Sequence, residues 1–170
     1  MIGRMAIVAT IAAMLGGCVL QSRAPRFGDS DAVLALGATG GLARMSNWRD
    51  GKWVPEDESA EIKITGMHYE AATASAWVSL HFVPLEGAWF VVQGSDRANP
   101  AAYMLAEVKQ QTAELRPLAC GDLKTNASAA ASISFEGDDC FIKPEADAKR
   151  LFTTLLHSPG EPTSRLEIVP

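Results

Sequence analysis

The sequence predicts an α+β domain, with an antiparallel β-sheet of roughly six to nine strands built from hairpins and one C-terminal amphipathic helix packed on it. Three observations lead to this class. Short apolar segments alternate with Gly- or Asp-containing turns through the middle of the chain, and one late segment has helical spacing. The composition, with 48% hydrophobic and 21% charged residues, is that of a globular protein.

The clearest local signal is the hairpin from Trp48 to Trp53. Asp50 and Gly51 at its centre suit a two-residue type I′ turn, whose central residues need positive φ. This turn sets the two tryptophans opposite each other. Cross-strand aromatic pairs stabilise a hairpin beyond simple burial, by about 0.5–1.5 kcal/mol.

Further strands are predicted wherever a short apolar segment lies between turn residues. Three more hairpins are predicted: Trp77–Leu85 with Ala88–Gln93, Tyr103–Lys109 with Thr112–Leu118, and Ser132–Phe135 with Cys140–Ile142. Glu61–Thr65 and Arg165–Val169 alternate in hydrophobicity and complete the predicted sheet.

One segment, Pro144–His157, is predicted to be helical. Leu151, Phe152 and Leu155 recur at spacings that place them on one helical face. Pro144 suits a first helical position, and the segment ends before Pro159. The apolar face is expected to pack on the sheet.

The N-terminus has the pattern of an export signal. A positive start that includes Arg4 precedes the apolar stretch Met5–Leu15, and Leu15-Gly16-Gly17-Cys18 follows. These four residues resemble the lipobox of bacterial lipoproteins. The resemblance implies cleavage before Cys18, attachment of diacylglycerol to its sulfur and acylation of its amino group, with palmitate as a typical acyl chain.

This resemblance also sets the predicted domain boundaries and the location. Residues 1–17 are the expected signal peptide, residues 18–31 the lipidated Cys and a polar tether, and residues 32–170 a single domain. Many such lipoproteins keep an Asp after the Cys for retention at the inner membrane, and this chain has Val19 there. The predicted location is therefore the outer membrane, facing the periplasm.

Cysteine usage agrees with an oxidising compartment. Of the three cysteines, lipidation of Cys18 would leave Cys120 and Cys140, which we predict to form a disulfide. Closing a loop of about 20 residues stabilises the fold by roughly 3 kcal/mol on a chain-entropy argument. Redox or metal-thiolate roles are less favoured, because the C-x-x-C spacing common at such sites is missing.

Two motifs resemble enzyme signatures without their required context. The glycine-rich segment Gly37–Gly41 is similar to the phosphate-binding turn of Rossmann proteins, but no helix or series of βαβ units follows. Phe27–Ser30 is similar to the first block of SGNH hydrolases, whose nucleophile would be Ser30. The late Asp-x-x-His block of that family is missing, so no catalytic residue is predicted.

No metal ligand and no cofactor is predicted from the histidine pattern. The chain has three histidines, and no two of them share a helix face or an H-x-H spacing. His68 and His81 would meet only if two neighbouring strands had a favourable register. Ordinary strand packing is the favoured interpretation of both.

The remaining functional prediction is a binding surface formed by Trp48, Trp53, Asp96, Arg97 and Asn99. Exposed tryptophans stack on sugar rings or serve as hot spots for a protein partner, although folding inward or stapling the hairpin is the more common role of such a pair. The net charge of −5 argues against nucleic acid as a partner. The predicted function is therefore a lipid-anchored, non-catalytic binding or envelope-assembly role, with an envelope protein or peptidoglycan as partner. A small periplasmic hydrolase is the alternative.

Overall fold

The computed structural model of the protein describes residues 19–72, 77–96 and 100–170. In this part of the chain an 11-stranded sheet is accompanied by three short helices. The strands are β1 (Leu20–Ser22), β2 (Gly41–Arg49), β3 (Lys52–Thr65), β4 (His68–Ala72), β5 (Trp77–Pro84), β6 (Trp89–Ser95), β7 (Ala101–Lys109), β8 (Thr112–Pro117), β9 (Ile133–Glu136), β10 (Asp139–Ile142) and β11 (Ser164–Val169). The helices are α1 (Cys120–Thr125), α2 (Ala127–Ala130) and α3 (Ala148–Leu155).

Eight of these strands close into an antiparallel barrel. They pair in the order β2-β3-β4-β5-β6-β7-β8-β11, and β11 pairs back with β2. The prediction of an α+β sheet with a packed helix is therefore wrong. Closure gives every barrel strand a neighbour on both sides, so the backbone groups that an open sheet would expose at its edges are hydrogen-bonded.

The predicted hairpins are confirmed within this barrel and beside it. Trp48 pairs with Trp53 and Arg49 with Lys52, and Asp50 and Gly51 have φ values of 51° and 76°, as a type I′ turn requires. The hairpins β5–β6, β7–β8 and β9–β10 also form where the sequence predicts them. A glycine with positive φ lies in three of the four turns, whereas the β7–β8 turn places Gln110 and Gln111 at φ values of 50° and 66°, which are uncommon for glutamine.

The two ends of the barrel differ. The connections β2–β3 and β6–β7 lie at one end, here called the tryptophan end, which carries Trp48 and Trp53. The connections β3–β4, β5–β6 and β7–β8 lie at the other, plugged end. There the segment 33–40 covers the barrel, and the Tyr69 hydroxyl accepts a hydrogen bond from the Leu36 N–H (2.8 Å) and donates one to the Gly37 carbonyl (2.8 Å). Leu36 is buried and packs on the cluster of apolar side chains inside the barrel.

A second apolar cluster lies on the outside of the barrel wall. Tyr103 and Leu105 of β7 contribute to it from the wall, and Leu151 and Phe152 of α3 pack over them. The ring of Phe152 lies 5.2 Å from that of Tyr103, centroid to centroid. The helix is shorter than predicted, because the Asp147 side chain accepts a hydrogen bond from the Arg150 N–H (3.0 Å) and sets the N-cap after Pro144.

Cys120 and Cys140 form the predicted disulfide. It joins α1 to β10, which belongs to the outer layer together with β9. The bridge therefore fastens the layer outside the barrel and does not staple the barrel itself.

Residues 19–31 do not form the predicted free tether. Leu20 is completely buried, and β1 pairs in parallel with β10 and antiparallel with β7. Farther along, Gln93 of β6 holds the segment around Arg26 and Phe27 by hydrogen bonds to its backbone. The side chains from Arg23 to Asp31 are exposed or half-buried, as the polar composition suggests, whereas the polar side chains of Gln21 and Ser22 are buried.

Candidate functional site

The outer face of the barrel brings together two histidines on neighbouring strands. His68 begins β4, His81 lies in β5, and the register Tyr69↔Leu80 continues to place the two histidines opposite each other. Tyr69 and Leu80 point into the barrel, so the alternation of a strand turns the histidines outward. Their rings stack with centroids 4.5 Å apart and planes inclined by 20°.

The third member of this cluster is Asp29, from the N-terminal segment. Its Oδ1 atom lies 2.6 Å from His68 Nδ1 and 3.3 Å from His81 Nε2. We call Asp29, His68 and His81 the Asp–His cluster. One donor atom from each residue lies within 4.8 Å of the other two, an arrangement able to hold a metal ion.

The turn between β3 and β4 holds the Asp29 carboxylate in place. The carboxylate accepts a hydrogen bond from the Met67 N–H. Gly66 has a φ of 59°, and a Cβ there would lie 2.1 Å from Asp29 Oδ2. Glycine is therefore needed at this position both for the turn and for the close approach of the carboxylate.

These contacts and burial shift the pKa values of Asp29 and His81. The hydrogen bond from His68 is the main reason that the pKa of Asp29 lies below its ordinary value, with the Met67 N–H adding to the effect. Burial lowers the pKa of His81, and the nearby His68 lowers it further. Burial therefore favours the neutral form of the His81 imidazole.

The cluster opens to solvent on one side. The Asp29 side chain is 45% exposed, whereas those of His68 and His81 are 14% and 11% exposed. The second ring nitrogen of His68, Nε2, lies 3.8 Å from Glu70 Oε1. His81 Nδ1 is buried without a hydrogen-bond partner. A ligand would thus approach past Asp29.

Sequence patterns did not identify this cluster. A meeting of His68 and His81 depends on strand register, and Asp29 stands out in the sequence only within the motif Phe27–Ser30. In the structure, Gly28 and Asp31 close a turn, with the Gly28 N–H donating to Asp31 Oδ2 (3.0 Å). Ser30, the residue that would be the hydrolase nucleophile, is exposed in this turn.

The structure places three of the residues predicted to form a binding surface, Trp48, Trp53 and Asp96, at the tryptophan end of the barrel. Trp48 is 46% exposed, and its ring meets that of Trp53 at a centroid distance of 5.0 Å and an angle of 61°. The Arg165 guanidinium carbon lies 4.4 Å from the centroid of the Trp53 ring, which leaves Trp48 as the more accessible aromatic. Asp96 is half-buried at the same end of the barrel, and Arg97 and Asn99 lie outside the described residues.

The segment Leu15–Cys18, which resembles a lipobox, also lies outside the described residues. The next residue, Val19, bridges to Ala119 and packs on the cluster inside the barrel. Shortly after it, Gln21 pairs with Ala102 near the start of β7, which places this part of the chain at the tryptophan end. None of the helices in the described ranges has the length and apolar character needed to cross a bilayer.

The chain has no significant match among protein families, curated proteins or solved structures. Two features of the described residues bear on function: the tryptophan end of the barrel, where Val19 also lies, and the Asp–His cluster on the outer wall.

Proposed function

We propose that the protein is a lipid-anchored, non-catalytic binding domain of the bacterial envelope, held at the outer membrane and facing the periplasm. The sequence motif Leu15–Cys18 supports the anchor. The observation that carries the binding role is that Val19 and the exposed Trp48 lie at the same end of the barrel. A lipid on Cys18 would hold this end close to the membrane surface.

The absence of a free tether restricts where the partner is met. Because Val19 is already packed on the barrel, an anchored domain has little freedom to move away from the lipid headgroups. Trp48 would then contact a partner at the membrane surface, such as the periplasmic part of another membrane protein. This geometry favours a protein partner over peptidoglycan, which lies farther from the bilayer.

The chemistry of the tryptophan end suits such a contact. Tryptophan is enriched among residues that dominate binding energy, because it buries a large surface and keeps a polar N–H. Trp53 is fixed beneath Arg165, so Trp48 is presented on a supported hairpin. Arg49 and Lys52 are exposed beside it and offer positive charge to an acidic partner.

The anchor is tested by mass spectrometry of the mature N-terminus and by fractionation of cells that express the native chain or Cys18→Ser. We expect a diacylglyceryl group on Cys18, recovery of the native protein with outer membranes and release of the variant into the soluble fraction. An unmodified Cys18, or a soluble native protein, would refute the anchor.

The surface is tested by crosslinking in living cells, comparing the native chain with Trp48→Ala and Leu42→Ala. Leu42 is a matched control, since it is 47% exposed on the same strand but at the plugged end. We expect one protein adduct that is lost with Trp48→Ala and retained with Leu42→Ala. If the Trp48→Ala variant gives the same adduct, the proposed surface is wrong, whatever the anchor test shows. Capture of peptidoglycan fragments instead would also contradict the protein partner.

A further inference from the structure

We propose that Asp29, His68 and His81 form a binding site for a divalent transition-metal ion of the zinc type. The proposal does not depend on the lipid anchor or on the tryptophan end. It rests on three donor atoms from three separate segments of the chain that converge on one point of the outer barrel wall.

The donor set matches the chemistry of such an ion. Two imidazole nitrogens and one carboxylate oxygen suit zinc and its neighbours, whereas calcium and magnesium prefer oxygen ligands only. In a tetrahedral zinc site, with bonds of about 2.0–2.1 Å, neighbouring ligand atoms lie about 3.4 Å apart. Asp29 Oδ1 and His81 Nε2 already lie 3.3 Å apart.

Metal binding requires side-chain adjustments at Asp29 and at the stacked histidine rings. Asp29 Oδ1 lies 2.6 Å from His68 Nδ1, so an ion between them would require this pair to separate by less than about 1 Å. Asp29 is on a turn outside the barrel strands and is the most exposed member of the cluster. A shift of its carboxylate would exchange its hydrogen bond with His68 for coordination to the ion, while Oδ2 stays beside the β3–β4 turn. The His68 and His81 rings are stacked with planes inclined by 20°, so at least one imidazole must also rotate about its side-chain bonds for both nitrogen lone pairs to point at the ion. The paired strands that carry the two histidines keep their backbones in register during this rotation.

The surroundings also fit a site with an open coordination position. Three protein ligands leave a fourth position for water or a substrate atom, and the exposed side at Asp29 gives access to it. Glu70 Oε1 lies 3.8 Å from His68 Nε2, beyond hydrogen-bond distance, and adds a negative charge beside the cluster that favours a bound cation.

The test uses the purified full chain without an affinity tag, titrated with Zn²⁺ by calorimetry and with Co²⁺ by visible absorption. We expect one equivalent of each ion to bind and the Co²⁺ complex to show the intense bands of a four-coordinate site. His81→Gln and Asp29→Asn should each weaken binding at least about tenfold, since even outer-shell substitutions commonly cost that much. His157→Gln is the matched control, because this exposed histidine at the end of α3 is the third of the chain's three.

A wild-type measurement guards against variants that fail to fold. In nitrogen NMR of the imidazoles, Zn²⁺ should shift the resonances of His68 Nδ1 and His81 Nε2 and leave those of His157 in place. The proposal is overturned if no saturable one-to-one binding occurs, or if the His157 resonances move while the other two stay. Full Zn²⁺ affinity in a folded His81→Gln variant would also overturn it, and the cluster would then be a hydrogen-bonded Asp–His arrangement only.

Discussion

Gln93 offers the sharpest test of how the N-terminal segment is attached to the barrel. Its side chain is completely buried, and its Oε1 atom accepts hydrogen bonds from the Arg26 N–H (2.8 Å), the Phe27 N–H (3.0 Å) and the Tyr103 hydroxyl (3.1 Å). Its Nε2 atom donates to the Phe27 carbonyl (2.9 Å). One side chain therefore satisfies much of the backbone of this segment.

We expect Gln93→Leu to lower the free energy of unfolding by about 4 kcal/mol, which is four hydrogen bonds at roughly 1 kcal/mol each. Leucine fills a similar volume, so lost hydrogen bonds and not a cavity are the main cause. Arg26 N–H keeps a second acceptor, the Tyr103 hydroxyl at 3.2 Å, whereas both backbone groups of Phe27 lose the bonds named above. For a chain of this size the melting temperature should fall by about 8–16 °C.

Chemical denaturation followed by circular dichroism measures the loss, and amide hydrogen exchange locates it. Exchange should accelerate at Arg26 and Phe27 while strands on the far side of the barrel stay protected. Arg44→Leu is the control, since it makes a similar polar-to-apolar change at an exposed position of β2. A Gln93→Leu variant within about 1 kcal/mol of the native protein, with both amides still protected, would refute the reasoning.

Two further predictions concern ionisation and the disulfide. Burial raises the pKa of Tyr103 to about 12 and also raises the pKa of Tyr69, the only other tyrosine. Each therefore favours folding below pH 10, and the contribution of Tyr103 is lost as the pH rises toward 12. Absorbance at the tyrosinate band should therefore appear together with alkaline unfolding, and a native protein with ionised tyrosines near pH 10 would contradict this. Replacing Cys120 and Cys140 by alanine should lower the free energy of unfolding by about 3 kcal/mol and loosen the outer layer first, whereas unchanged denaturation midpoints would show that the bridge does not stabilise the fold.

Features that depend on nearby residues could be predicted from the sequence. The turn at Asp50 and Gly51 forms as predicted because both residues accept positive φ, and the pairing of Trp48 with Trp53 follows directly from it. The β5–β6 and β9–β10 hairpins likewise have a positive-φ glycine in the turn, Gly87 and Gly137, whereas the β7–β8 hairpin forms although Gln110 and Gln111 must adopt positive φ, so turn chemistry alone does not account for it. The disulfide could be predicted from the number of cysteines and the expected compartment, without knowledge of the fold.

The closed barrel could not be predicted in this way. It depends on β11 inserting between β8 and β2, and alternation of apolar residues does not identify the neighbours of a strand. The same holds for the segment 19–31. Its polar composition is typical of a tether, but its backbone and Gln93 hydrogen-bond each other, and a sequence pattern carries little information on backbone partners.

The same distinction between local and tertiary features applies to the two candidate sites. Trp48 and the motif ending at Cys18 are local features that the sequence by itself identifies. The Asp–His cluster is a product of tertiary structure, because Asp29 and His68 lie 39 positions apart and His81 joins them only through the β4–β5 register. Strand register and the path of the N-terminal segment are set by packing of the whole barrel, so only the folded chain determines which polar side chains meet.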